Sequence, residues 1–313
     1  MTLNIAHRGG AGLFPENTPM AFRNAVALGC DGAELDVQLS RDGRVVVFHD
    51  FGLKPEICRD ASGAWLTTPT PHVKDLTLAE LRRYDIGRAN PTSEYARRHA
   101  AVDWRDGERI PTLAEVIDIA KSAPKPFRLF VELKTSFADR TSSADPKLLA
   151  AATLKAIGEC GCLEHTTLVG FDWPALLHAK QVEPQIECWF TTLPQSWFAD
   201  APPPIADDPP GETALQQLRH WARTATSPWA SGYDALNYCG SILRAIKAAG
   251  GEGWFPMYRD ITSETANEAR ALGLKIGGWT VNEAVEMRAL CAVGIDAICT
   301  DRPDLLTRIL GRA

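Results

Sequence analysis

Two histidines stand where apolar runs end: His7 closes LNIAH (3–7), and His49 lies in RVVVFHD (44–50). Such a pair is the usual means of taking one proton and giving another near neutral pH. Either alone would more often be a hydrogen-bonded structural residue; both at strand ends, beside acidic pairs, favour catalysis. Arg8 has the planar fork that fits a phosphate, and Lys134 is a point charge suited to the same anion. In GAELDVQL (32–39) Glu34 and Asp36 fall on one face of a strand and Ala33, Leu35 and Val37 on the other. RLFVELK (128–134) repeats the arrangement with Glu132 and Lys134. Inward-facing carboxylates repel unless a cation neutralises them. Three from two strands make an oxygen-rich site suited to Mg²⁺ or Ca²⁺ rather than zinc. The carboxylates carry about −3, and a divalent cation with Arg8 and Lys134 about +4. The sum suits a monoanion such as a phosphodiester better than a neutral sugar.

Positioning these groups needs strands that deliver their ends to one place. Ten segments have strand character: 3–7, 32–39, 44–50, 128–134, 166–171, 187–191, 234–237, 253–258, 275–281 and 297–301. Ser40-Arg41-Asp42-Gly43 is a tight-turn sequence, so 32–39 and 44–50 are expected to form an antiparallel hairpin whose second arm folds back over the mouth. Either 234–237 or 253–258 is then surplus, and the sequence does not choose between them. Helices are expected from Thr18, a capping hydroxyl followed by Pro19, to near Gly29, and after Pro111, where Thr112 to Glu115 form a capping box. Others fit 146–158, 213–223, 241–249, 262–272, 282–292 and 303–310. Eight parallel strands alternating with helices predict an α/β fold, a TIM (β/α)₈ barrel forming a single domain over 1–313. Residues 51–110 break the rhythm and read as an insertion capping the barrel mouth; 194–212 read as a proline-rich polar loop.

The 313 residues carry a net charge of −6 and a pI of about 5.7, with no dense Lys/Arg run, which argues against nucleic-acid binding. No apolar stretch approaches the roughly 18 residues of a membrane helix, and no signal peptide is evident, so a cytoplasmic location without membrane insertion is expected. The eight cysteines are irregularly spaced and read as reduced; Cys160 and Cys162 lack a second pair to complete a zinc site. His72, His99, His165, His178 and His220 lack acidic surroundings in the sequence and read as structural or exposed.

The ordered set HRGG, PENT, AELDVQLSRDGRVVVFHD, IPTLAEV, VELK, WTVN and TDRP, between residues 5 and 310, closely resembles the glycerophosphodiester phosphodiesterases. The resemblance implies a TIM barrel with a segment inserted after the histidine of the HD motif. It implies His7 and His49 as the acid/base pair, Glu34, Asp36 and Glu132 as ligands of one divalent cation, and Arg8 and Lys134 as phosphate contacts. Glu16 and Asn17 should lie beside the site, in contact with substrate or shaping the helix entry. Trp279 should wall the alcohol portion of the substrate or pack in the core. Where the family often has Ser-Phe, this chain has Gly170-Phe171, one hydroxyl fewer beside a substrate-facing Phe171. The implied reaction is metal-dependent hydrolysis of glycerophosphodiesters to glycerol 3-phosphate and an alcohol. Alternatives are a lipid-acting enzyme resembling sphingomyelinase D or the phosphatidylinositol-specific phospholipases C, and a non-catalytic phospho-ligand-binding barrel. The charged runs Arg97-Arg98 and Asp103–Arg109 favour a soluble diester over a lipid. The preferred alcohol, the roles of the two histidines, the choice of Mg²⁺ or Ca²⁺ and the oligomeric state stay open.

Overall fold

The computed structural model describes residues 1–198 and 211–312. Its strands are β1 Leu3–Ala6, β2 Gly32–Leu39, β3 Val45–Val47, β4 Arg128–Leu133, β5 Thr166–Gly170, β6 Glu187–Thr191, β7 Gly253–Phe255, β8 Lys275–Gly278 and β9 Ala297–Thr300. All but β3 run parallel, each beside its neighbour, and β1 pairs with both β2 and β9, so the sheet closes on itself. The register sets Asp36 opposite Glu132 and Glu34 opposite Phe130. Between strands the chain passes through helices whose apolar faces cover the outside of the sheet, the layering of a TIM barrel.

The hairpin is present: β3 pairs antiparallel with Val37–Leu39. Gly43, at φ 73°, makes the turn, with its N–H bonded to the Ser40 carbonyl at 2.9 Å. The choice left open in the sequence falls to 253–258, which contributes β7. Residues 234–237 are not a strand; Ala235–Tyr238 form a short 3₁₀ turn ahead of the helix Ile242–Ala248. A tetrapeptide with two apolar residues and no flanking period carries too little signal to separate the two. Of the proline-rich stretch 194–212, residues 199–210 lie outside the described residues.

Caps at two helix starts follow from the residues named above. The Thr18 hydroxyl accepts from Ala21 N ahead of Pro19–Ala27. Thr112 and Glu115 exchange both bonds of a capping box ahead of Leu113–Lys121. Among the described residues no helix is long and apolar enough to cross a membrane.

The interior of the barrel is filled rather than open. Trp189, Phe130, Phe255, Val169, Ile5 and Cys299 are all buried and form one apolar cluster. The Trp189 ring lies where a side chain on Gly253 would stand: a Cβ there would come within 2.4 Å of it. Below it, Glu187 accepts from Trp189 Nε1 at 2.8 Å and from Arg128 and Lys275 at 2.7 Å each. The floor is thus an ion-paired polar cluster under an aromatic plug, and the chemistry is left to the opposite rim.

Residues 51–110 carry their own apolar cluster of Leu53, Ile57, Cys58, Val73, Leu81, Ile86 and Ile110, joined to Val46 and Phe48 of the hairpin. Backbone bonds tie the segment to the barrel: Arg41 N to the Leu76 carbonyl and Asp103 N to the Leu13 carbonyl.

Candidate active site

β1 ends at Ala6, and His7–Gly9 turn sharply across the rim. Arg8 sits at φ 49°, a left-handed conformation costing about 1 kcal/mol or more outside glycine. Two contacts hold it there. Its N–H donates to Glu34 Oε2 at 3.1 Å. Gly9 lies so close to the first helix that a Cβ would come within 2.7 Å of the Ala21 Cβ. The apolar strand running straight into His-Arg-Gly-Gly is therefore a strand that folds its last residues over the carboxylates.

Glu34 and Asp36 are buried and, with Glu132, place one oxygen each within 4.8 Å of one another. Burial and the Asp36 charge push the Glu34 carboxyl well above its usual range. Asp36 is pushed the other way: burial opposes the shift, but His49, Arg8 and Lys134 outweigh it. Three converging hard oxygens, one of which favours protonation, fit a divalent cation. Lys134 Nζ donates to Glu132 Oε1 at 2.9 Å and stands 3.7 Å from Asp36. Asn17 does not face outward; its amide donates to Asp36 Oδ2 at 2.8 Å.

His7 Nδ1 donates to Asp301 Oδ1 at 2.6 Å, which turns Nε2 toward Glu34 Oε2, 3.8 Å away. Asn282 fixes Asp301 from both sides, donating to Oδ2 at 2.7 Å and accepting from Asp301 N at 2.9 Å. Burial disfavours the His7 cation, but Asp301 outweighs it and the pKa is raised above 6.5. Asp301 itself falls to about 2, burial opposing and His7 prevailing. His49 is the contrary case: burial, then Arg8 and Lys134, lower it from 6.5. Its Nδ1 donates to Asp50 Oδ1 at 3.1 Å, and the Gln38 amide holds the loop through the Phe48 and Asp50 carbonyls.

Arg8 Nη1 donates to Glu16 Oε1 at 3.0 Å, and its Nε stands 3.3 Å from Asp36 Oδ2. Glu16 thus shapes the site through Arg8. Glu16 and Asp301 add two negative charges to the cluster, so that with a divalent cation bound it would sum to about −1, and to about zero once His7 is protonated.

Two cavities flank the cluster. One, of about 560 Å³, runs from Glu132 and Lys134 past Phe51, Phe137, Phe171 and Trp279. Trp279 and Phe171 meet edge to face, centroids 5.4 Å apart, and the indole N–H donates to the Phe255 carbonyl. Trp279 both packs on the barrel cluster and walls a cavity. The other cavity, of about 300 Å³, lies between His7, Arg8 and Asp301 and the side chains of Lys54, Tyr95 and His99 from residues 51–110. His99, which has no acidic neighbours in the sequence, borders this cavity, stacked on Tyr95.

The structure therefore gathers His7, Arg8, Glu16, Asn17, Glu34, Asp36, His49, Glu132 and Lys134 into one interacting cluster, with Phe171 and Trp279 along the adjoining cavity. It adds Asp301, Asn282, Asp50 and Tyr95. Asp301 and Asn282 lie in the TDRP and WTVN motifs, which carry no role for either residue in the sequence reading. Tyr95 had no sequence signal at all.

The sequence profile of the glycerophosphoryl diester phosphodiesterase family matches residues 7–305. A protein named glycerophosphodiester phosphodiesterase from Caldanaerobacter subterraneus subsp. tengcongensis is 29% identical, over 99% of this chain and 98% of its own. The solved structure of a candidate glycerophosphoryl diester phosphodiesterase from Silicibacter pomeroyi superposes with TM-score 0.78 at 30% identity, covering 98% of this chain and 92% of that one. At 21% identity and TM-score 0.65, an Oleispira antarctica phosphodiesterase solved with the product sn-glycerol-3-phosphate shares the fold, covering 98% of this chain and 96% of that one. With the profile spanning almost every residue from the first candidate histidine to the last helix, the chain belongs to the glycerophosphoryl diester phosphodiesterase family.

Proposed function

We infer that this chain hydrolyses glycerophosphodiesters to glycerol 3-phosphate and an alcohol. The observation that carries the reading is the convergence of two differently biased histidines and two cations on three carboxylates with ligand spacing. Glu34, Asp36 and Glu132 would hold one divalent cation, Mg²⁺ or Ca²⁺. When bound, it supplies positive charge to the non-bridging phosphate oxygens. Arg8 and Lys134 bind the same oxygens and offset the charge that grows in the transition state. His49, biased neutral, takes the proton from the nucleophile, water or the substrate's own glycerol hydroxyl. His7, biased cationic by Asp301, protonates the leaving alkoxide at Nε2. Phe171 and Trp279 wall the space for one substituent of the phosphate.

One observation favours a second reading. The larger cavity is lined mainly by aromatic and aliphatic side chains, which suits an apolar alcohol or the chain of a lysolipid. The test measures glycerol 3-phosphate released from glycerophosphocholine, with Mg²⁺, with Ca²⁺ and with EDTA, beside a lysolipid panel. Metal-dependent release from glycerophosphocholine supports the first reading. Turnover of lysolipids alone moves the enzyme to the second. Silence on both removes the catalytic reading.

Residues 1–313 are read as one working unit in which the inserted segment supplies site residues. A cytoplasmic address is proposed on the eight free cysteines, most of them buried, which suit a reducing compartment.

A further inference from the structure

We propose that Tyr95, carried on the inserted segment, is a positioning residue that holds the phosphate-binding Arg8 in place through Glu16; this rests on the phosphodiesterase reading above. Tyr95 belongs to the five-residue helix Glu94–Arg98, which Ser93 caps. Its hydroxyl donates to Glu16 Oε2. The other oxygen, Oε1, takes Arg8 Nη1 at 3.0 Å. Glu16 is 6% exposed, so these partners, rather than solvent, decide how its carboxylate is turned. Arg8 Nε faces Asp36 at 3.3 Å but makes no hydrogen bond among the described residues. Glu16 is therefore the group that orients the guanidinium.

The Tyr95 ring is fixed by contacts that do not involve the hydroxyl. It stacks on His99 with centroids 4.0 Å apart and lies under Lys54 Nζ at 4.5 Å. Lys54 in turn stands 3.6 Å from Asp50, the partner of His49. A phenylalanine at 95 would keep the ring and remove only the donor. Glu16 would then be free to offer both oxygens to Arg8, and a chelated guanidinium is turned away from an incoming phosphate. The inserted segment, on this account, sets the aim of a phosphate ligand that the barrel itself supplies.

The experiment is a double-mutant cycle on kcat and KM for glycerophosphocholine, with Tyr95→Phe, Arg8→Ala and both together, and with the affinity for glycerol 3-phosphate measured separately. In the unaltered background Tyr95→Phe is expected to raise KM and the glycerol 3-phosphate Kd by about 10-fold, the scale of a hydrogen bond to a charged group. In the Arg8→Ala background it should change kcat/KM by less than about 2-fold. Glu16→Gln serves as the second variant: adding Tyr95→Phe to it should cost no more than about 2-fold. A Tyr95→Phe enzyme indistinguishable from the unaltered one, or equal losses with and without Arg8, overturns the relay and leaves the phosphodiesterase reading intact. Absence of turnover by the unaltered protein fails that reading, and the relay with it.

Discussion

His7 Nδ1 and Asp301 Oδ1 lie 2.6 Å apart although 294 positions separate them in the chain. Closure of the barrel between β1 and β9 makes the contact, and it fixes which nitrogen of His7 faces the carboxylates. Replacing Asp301 with Asn should lower the His7 pKa and reduce kcat by about 10²-fold or more, because the ring loses both its charge partner and its tautomer control. Proton NMR of the histidines in EDTA-treated protein checks the first effect, and steady-state kinetics the second.

The same pair predicts a pH-dependent stability. A raised His7 stabilises the fold below its unfolded value of 6.5, and that contribution is lost as pH rises through the folded pKa. Asp301, at about 2 against 3.8, contributes above 3.8 and loses its part as pH falls toward 2. Asp301→Asn should therefore destabilise more at pH 5 than at pH 9 in urea unfolding. Equal destabilisation at both would remove the ion pair from the account.

His49 is lowered and His7 raised, so kcat/KM should trace a bell whose acid limb belongs to His49 and whose alkaline limb belongs to His7. His7→Ala and His49→Ala should each lower kcat by about 10²–10⁴-fold with an unchanged circular dichroism spectrum. Near-normal turnover in both would end the acid/base assignment.

A divalent cation must displace the proton that burial and Asp36 favour on Glu34. Titration calorimetry in buffers of different ionisation heat should show proton release, and affinity should strengthen as pH rises. Glu34→Gln, Asp36→Asn and Glu132→Gln should each weaken binding by more than about 10-fold, a direct ligand counting for at least as much as the groups behind it.

At the floor of the barrel, Gly253→Ala would drive a methyl into the Trp189 ring, and overpacking of this kind costs about 1–3 kcal/mol. Trp189→Ala should cost about 3–5 kcal/mol by leaving a cavity. Thermal unfolding of the two variants measures both.

The barrel was legible in the sequence because parallel strands buried on both faces leave apolar runs, and because Glu34, Asp36 and Glu132 interrupt those runs at a strand's period. The hairpin was legible from Ser40–Gly43. The choice between 234–237 and 253–258 was not, since both are short and only tertiary pairing separates them. The pair His7–Asp301 and the Tyr95–Glu16 contact were hidden for a different reason. They join residues far apart in the chain, and periodicity reports only on neighbours.

Trp189 and the salt-bridged Glu187 stopper the barrel at the end away from the histidines. Traffic to the cluster must therefore come and go by the rim. A phosphate product still seated on Arg8 stands in the doorway of the next substrate. Glycerol 3-phosphate should accordingly act as a competitive inhibitor, and the slowest event in the cycle can be a departure rather than a bond cleavage.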